Sequence, residues 1–151
     1  MSLEELYREV ILDHYRNPRH RKPLDRADAH AEGVNPLCGD EVTVELTVAD
    51  GTITDVAAIG QGCSISQSSA SMMTDAVLGK RIEEVRELIH RFKAMMDIDR
   101  EVDLGLDPER PGAVLGDLEA LQGVRRYPVR IKCANLPWTT LQEALEQLSD
   151  S

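Results

Sequence analysis

Apolar residues recur at helical spacing at the start of the chain, where Leu3, Leu6, Tyr7, Val10 and Ile11 fall on one face. Ser2 with Glu5 makes a capping box for the first free amides, so the pattern predicts a helix over about residues 2–15. It stops at Asn17-Pro18, because proline disfavours helical geometry in the residue before it. The stretch through Pro36 has no periodicity and reads as a loop. Val42, Val44, Leu46 and Val48 then alternate with Thr43, Glu45 and Thr47, the two-residue period of a half-buried strand. Asp50-Gly51 turns the chain, and the following TITDVAAIG is expected to return as an antiparallel partner.

Beyond Gly60-Gln61-Gly62-Cys63, the residues Ile65, Met72, Met73, Ala76 and Val77 sit on a helical pattern that ends at Gly79. Serines at 64, 66, 68, 69 and 71 keep its first turns small and polar, which permits close approach of another segment. Ile82, Val85, Leu88, Ile89, Phe92 and Met96 predict a second amphipathic helix. The acidic DIDREVDLGLDPERPGA, broken by Gly and Pro, is expected to be exposed. A short helix is expected over Val114–Leu121. Pro137 is expected to open a last helix carrying Leu141, Ala144, Leu145 and Leu148.

Composition narrows the class. At 151 residues the chain suits one domain, 1–151, with a single core. Aromatics are only 3%, so the core must come from aliphatic residues and Met, in an α+β or α/β arrangement. A formal net charge of −10 repels phosphate backbones and anionic lipid, which argues against nucleic-acid and membrane partners. No run is long and apolar enough for a membrane span, and MSLEELYREV lacks the regions of a signal peptide, so a cytoplasmic location is expected. Three cysteines in such a chain do not read as a disulfide framework.

Those cysteines carry the candidate chemistry. Cys38 and Asp40, two apart at the entrance to a strand, project to one side, and Gly39 lets the backbone bend toward a shared ion. Cys63 lies at a helix N-terminus, where free amides favour a thiolate, and Cys133 sits at the junction before the last helix. Three thiolates and a carboxylate suit tetrahedral zinc. Their excess negative charge calls for nearby cations, for which Arg125, Arg126, Arg130 and Lys132 are available. Positions 38, 63 and 133 contain no CxxC pair, so spacing alone leaves buried, unreactive cysteines as an open alternative. Histidines 14, 20, 30 and 90 are not assigned to the metal, and His14 and His90 fit surface or packing roles. Arg16, Arg19, His20, Arg21 and Lys22 form a basic cluster that reads either as a solvated loop or as a dock for an acidic partner. Nothing local marks Ser/His/Asp catalysis or a phosphate loop.

Taken together, YREVILDHYRNPRH, NPLCGDEV, GQGCSISQSSASMM and RIKCANLPW make the whole chain resemble the SufU branch of the IscU-like iron-sulfur assembly proteins. The resemblance implies an α+β, IscU/SufE-like fold in which a small antiparallel sheet of about three strands packs against several helices. It implies zinc on Cys38, Asp40, Cys63 and Cys133, and a pyridoxal-phosphate cysteine desulfurase of the SufS type as partner. In such a pair a desulfurase histidine replaces one cysteine on the zinc, and Cys38 matches the released acceptor, which takes persulfide sulfur and passes it to a downstream scaffold. The alternatives are a scaffold on which an iron-sulfur cluster is built, or a purely structural zinc in an adaptor. Two departures from the scaffold branch favour transfer. Lys132 stands where that branch has a His before the third cysteine, and Arg126-Tyr127-Pro128-Val129-Arg130 keeps only part of its Leu-Pro-Pro-Val-Lys chaperone segment. The stretch around 97–115 resembles the insertion typical of SufU.

Overall fold

Three antiparallel strands in the order β1-β2-β3 form one sheet: β1 Ala29–Asn35, β2 Asp40–Ala49 and β3 Thr52–Gln61. Around it lie α1 Leu3–Arg16, α2 Ser64–Val77, α3 Ile82–Met96, a 3-10 segment Gly116–Arg126 and α4 Pro128–Ser149. The computed structural model describes residues 2–97 and 104–149. The fold is α+β with a small antiparallel sheet and several helices, as the sequence led one to expect.

The β2–β3 hairpin follows from its residues. Asp50 and Gly51 both adopt positive φ, 53° and 75°, the geometry that matches the twist of paired strands. Val42, Val44 and Leu46 face inward from β2, and Ile53, Val56 and Ala58 from β3, all at most 7% exposed. Helix α1 begins as the capping box requires, with the Ser2 hydroxyl accepting the Glu5 amide at 3.1 Å.

Three expectations need correction. The segment before Pro36 contains a strand, β1, whose inward positions are Ala29, Ala31, Gly33 and Asn35. Such small residues give little hydrophobic alternation, yet they let α4 lie close: a Cβ on Gly33 would strike the Thr140 side chain. The last helix starts nine residues before Pro137, at Pro128, and Pro137 lies inside it. Proline removes a ladder bond there, and the Ser69 hydroxyl supplies a partner to the same turn by donating to the Ala134 carbonyl at 2.6 Å. The short helix expected over Val114–Leu121 is displaced to Gly116–Arg126 and wound as 3-10. Of the acidic stretch 97–113, residues 98–103 lie outside the described residues, and most of 104–113 is exposed.

Ser69 also accepts the Trp138 indole N–H at 3.1 Å, so one hydroxyl ties α2 to α4 twice. Trp138 is fully buried and stacks on Phe92 of α3 with centroids 4.5 Å apart. The single tryptophan thus joins three helices. Trp138→Ala is expected to destabilise the fold by about 3–5 kcal/mol in urea titration, whereas Val129→Ala, on an exposed side chain, should stay within about 0.5 kcal/mol. Comparable losses in the two variants would contradict this placement of the core.

Candidate metal centre

Three separate pieces of backbone carry the cysteines and Asp40. Cys38 lies in the turn between β1 and β2, partly exposed. Gly39 follows with φ 67°, the bend that sends the chain back so that Asp40, the first residue of β2, faces the same space. Cys63 is the N-cap of α2. Cys133 projects from the second turn of α4 and is only 1% exposed. It therefore lies within the last helix and not at a junction before it, which buries its thiol more deeply than the sequence suggested.

Donor atoms of Cys38, Asp40 and Cys133 all lie within 4.8 Å of one another, a grouping that could hold a metal ion. The Cys38 and Cys133 sulfurs are 3.3 Å apart. Cys63 lies outside that tight group, and its sulfur is turned to accept the Ser66 amide at 3.5 Å, as an N-cap should. Its backbone N–H nonetheless donates to Asp40 Oδ1 at 2.9 Å, so its position is coupled to that carboxylate. Burial pushes the Cys133 thiol far above the usual range, and Asp40, Cys38 and Cys63 beside it push in the same direction. Three of the four predicted residues thus bring their donor atoms together, while Cys63 joins them through its backbone amide on Asp40.

The carboxylate supplies the test of fit. Asp40 is fully buried, and while Oδ1 takes the Cys63 amide, Oδ2 has no hydrogen-bond partner among the described residues. Leaving a buried acceptor unsatisfied costs about 1–3 kcal/mol, more if it is charged. An oxygen left bare beside two sulfurs in contact has the makings of a ligand, and a set of thiolates with one carboxylate is within the chemistry of zinc. Gly62 makes room for it. With φ 156°, any Cβ there would run into Asp40 Oδ1 and the Ser66 hydroxyl.

Asn35 completes the surroundings, and sequence reasoning passed over it. Its buried side-chain amide donates to the Cys133 sulfur at 3.7 Å, while its oxygen accepts the Leu37 N–H at 3.3 Å. It thereby fixes the Cys38 turn against α4. The only hint in the sequence was a polar residue ahead of Pro36, three before the first cysteine.

The cations expected nearby are mostly engaged elsewhere. Arg126 pairs with Glu4 at 3.3 Å, Arg125 donates to the Asp97 carbonyl at 3.3 Å, and Arg130 lies 6.0 Å over the Tyr127 ring, while Lys132 is exposed. In the basic 16–22 cluster, Arg19 pairs with Asp13 at 2.7 Å and Arg21 donates to the Gly60 carbonyl at 2.7 Å, so this loop is partly tied to the body.

A Ser-His-Asp chain is present after all, though remote in sequence. Fully buried His14 joins Ser71 Oγ through Nδ1 and Asp117 through Nε2, both at 2.8 Å. Ser71 is 2% exposed and already accepts the Arg19 amide, so this chain joins α1, α2 and the 3-10 segment instead of presenting a nucleophile. A cavity of about 750 Å³ lies beside His14 between α2, α3 and the 3-10 segment, and no cysteine lines it.

The fold and the thiol-carboxylate cluster belong to a known class: residues 6–134 match the NifU-like N terminal domain, and the chain is a member of that IscU-like family. Among its relatives it is 42% identical over 144 residues to the zinc-dependent sulfurtransferase SufU of Bacillus subtilis, covering 95% of this chain and 92% of that one. It is 38% identical over 149 residues to the iron-sulfur cluster assembly scaffold protein IscU of Thermotoga maritima, with 99% of each chain covered. Among solved structures, FiSufU from Fervidobacterium islandicum AW-1 superposes with a TM-score of 0.79 at 35% identity, covering 91% of this chain and 94% of that one. A NifU-like N-terminal protein from Brucella abortus gives 0.82 at 26% identity, covering 98% and 97%. No helix among the described residues is long and apolar enough to cross a membrane.

Burial and the upward pKa shift make Cys133 the least reactive of the three thiols without metal. In chelator-treated protein at pH 8, Cys133 is expected to alkylate at least about thirtyfold more slowly than Cys38. Peptide mapping after timed iodoacetamide exposure checks this, and equal rates would contradict the burial.

Proposed function

We propose that the protein is a zinc-dependent sulfur carrier that takes persulfide sulfur from a SufS-type cysteine desulfurase and supplies it to iron-sulfur cluster assembly. The observation that carries the reading is the meeting of one partly exposed thiol, one buried thiol and a buried carboxylate with a bare oxygen. Membership of the IscU-like family and the 42% identity to a protein named a zinc-dependent sulfurtransferase support it.

Cys38, Asp40, Cys63 and Cys133 would hold the ion. Bound zinc keeps its thiols deprotonated while engaging their lone pairs, and it adds folding free energy by joining distant segments. The residues of the chain divide the remaining work. Cys38, in a turn and partly exposed, is the sulfur that a large partner can reach, whereas buried Cys133 is not. As acceptor, the Cys38 thiolate attacks the outer sulfur of the donor's cysteine persulfide. A new sulfur–sulfur bond forms on Cys38, the donor's own bond breaks, and its cysteine leaves as thiolate. Asn35 steadies the turn that presents Cys38, and Asp40 links β2 to the Cys63 amide, so the remaining groups keep their places while Cys38 reacts. The desulfurase and a downstream scaffold are the implied partners, in the cytoplasm.

The scaffold reading has its own support, since two relatives at 38% identity over nearly the whole chain are named iron-sulfur cluster assembly scaffold proteins. Anaerobic purification separates the two. Stoichiometric zinc without a chromophore fits the carrier, and a brown protein that rebuilds and hands on a stable cluster fits the scaffold.

After incubation with the host desulfurase and sulfur-labelled cysteine, mass mapping is expected to find the persulfide on Cys38. Cys38→Ser should abolish both the label and the stimulation of the desulfurase. Label on Cys63 or Cys133, or stimulation that survives Cys38→Ser, would contradict the assignment.

A further inference from the structure

A groove of about 630 Å³ runs between α1, the start of α2 and the junction of the 3-10 segment with α4. Its floor is apolar, with Tyr7, Ile11, Ile65 and Val124 among the lining residues. Its rim is cationic in a chain whose formal charge is −10: Arg8, Arg126 and Arg130 line it against the single carboxylate of Glu4, which is paired with Arg126. Arg8 and Arg130 have no carboxylate partner among the described residues. Tyr127, which also lines the groove, is 60% exposed.

The groove adjoins the thiol centre. Ser64, which lines it, follows Cys63, and Arg130 precedes Cys133 by one turn of α4. Val34 and Leu37, 61% and 74% exposed, lie close in sequence to Cys38. Exposed apolar side chains next to a reactive thiol mark a surface that a partner covers. A donor reaching Cys38 must come within bonding distance of this centre, so its neighbouring surface comes close to the groove that adjoins it.

We propose that the α1–α4 groove is the docking site for an acidic segment of the sulfur-donating protein, carrying an apolar side chain that enters between Tyr7 and Val124 while its carboxylates meet Arg8 and Arg130. This rests on the sulfur-carrier reading and adds to it where the donor binds and which charge it carries there. Complementary charge at such a rim governs encounter rate and partner choice more than buried energy. The contribution is therefore salt-dependent, falling as the screening length shrinks from about 10 Å at 0.1 M salt.

The test is calorimetric titration of the zinc-loaded protein with the purified host desulfurase at low and high salt. Arg8→Glu/Arg130→Glu is expected to weaken binding at least about tenfold at low salt and to flatten the salt dependence, with zinc content and melting temperature unchanged. Arg26→Glu/Arg110→Glu, with the same change in net charge at exposed sites away from the groove, should weaken it less than about threefold. Wild-type affinity in the groove variant, or equal losses in both variants, overturns the groove. A dimer of the protein alone that the groove variant dissolves also overturns it, by showing a second copy as the occupant. Absence of any desulfurase binding by the unaltered protein removes the sulfur-carrier reading itself, whereas binding that survives charge reversal removes the groove alone.

Discussion

A buried carboxylate with one oxygen unanswered is the constraint from which the rest of this centre follows. Asp40 opens β2, is closed off from solvent, and gives one oxygen to the Cys63 amide and none of the described groups to the other. Carboxylates are rarely buried without a partner, because the charged form loses its hydration. The sulfurs of Cys38 and Cys133, from the β1–β2 turn and the second turn of α4, stand beside it in a grouping that could hold a cation and so resolve that conflict. The parts of the chain that look least ordinary serve the same end. Gly39 bends the turn and Gly62 leaves room for the carboxylate.

Around this centre the helices are locked by polar contacts as well as by apolar packing. Ser69 ties α2 to α4 through two hydrogen bonds, and Ser71 with His14 and Asp117 ties α1 to α2 and the 3-10 segment. The serine-rich face of α2 thus combines close helix approach with satisfied buried hydroxyls, a combination that fixes geometry more tightly than aliphatic contact alone. Asp40 and Cys133 are thereby held on regular elements, β2 and α4, while Cys38 lies in a turn.

The sequence declared some of this and concealed the rest for physical reasons. The β2–β3 hairpin was plain from alternating valines and Asp50-Gly51, and α3 from its apolar stripe, because each is governed by local periodicity. Strand β1 escaped because Ala29, Ala31 and Gly33 are chosen for small size against α4, which erases the hydrophobic signal. Pro137 suggested a helix start, but the turn it disrupts finds its partner in Ser69, 65 residues away from Ala134. The His14 chain was invisible for the same reason, with partners 57 and 103 residues distant. The four candidate ligands were named because their setting resembled a family, and the structure groups the donor atoms of Cys38, Asp40 and Cys133. Spacing alone left them open, and neither the role of Asn35 nor the capping posture of Cys63 was legible without coordinates.

The central claim is that residues 38, 40, 63 and 133 converge on one ion, with Cys63 turning from its cap to join the other three. X-ray absorption at the zinc edge of the purified protein measures that shell directly. The account predicts three sulfurs at about 2.3 Å and one oxygen at about 2.0–2.2 Å, with one sulfur lost in Cys63→Ser. A shell of two sulfurs, or one made only of nitrogen and oxygen, would contradict it.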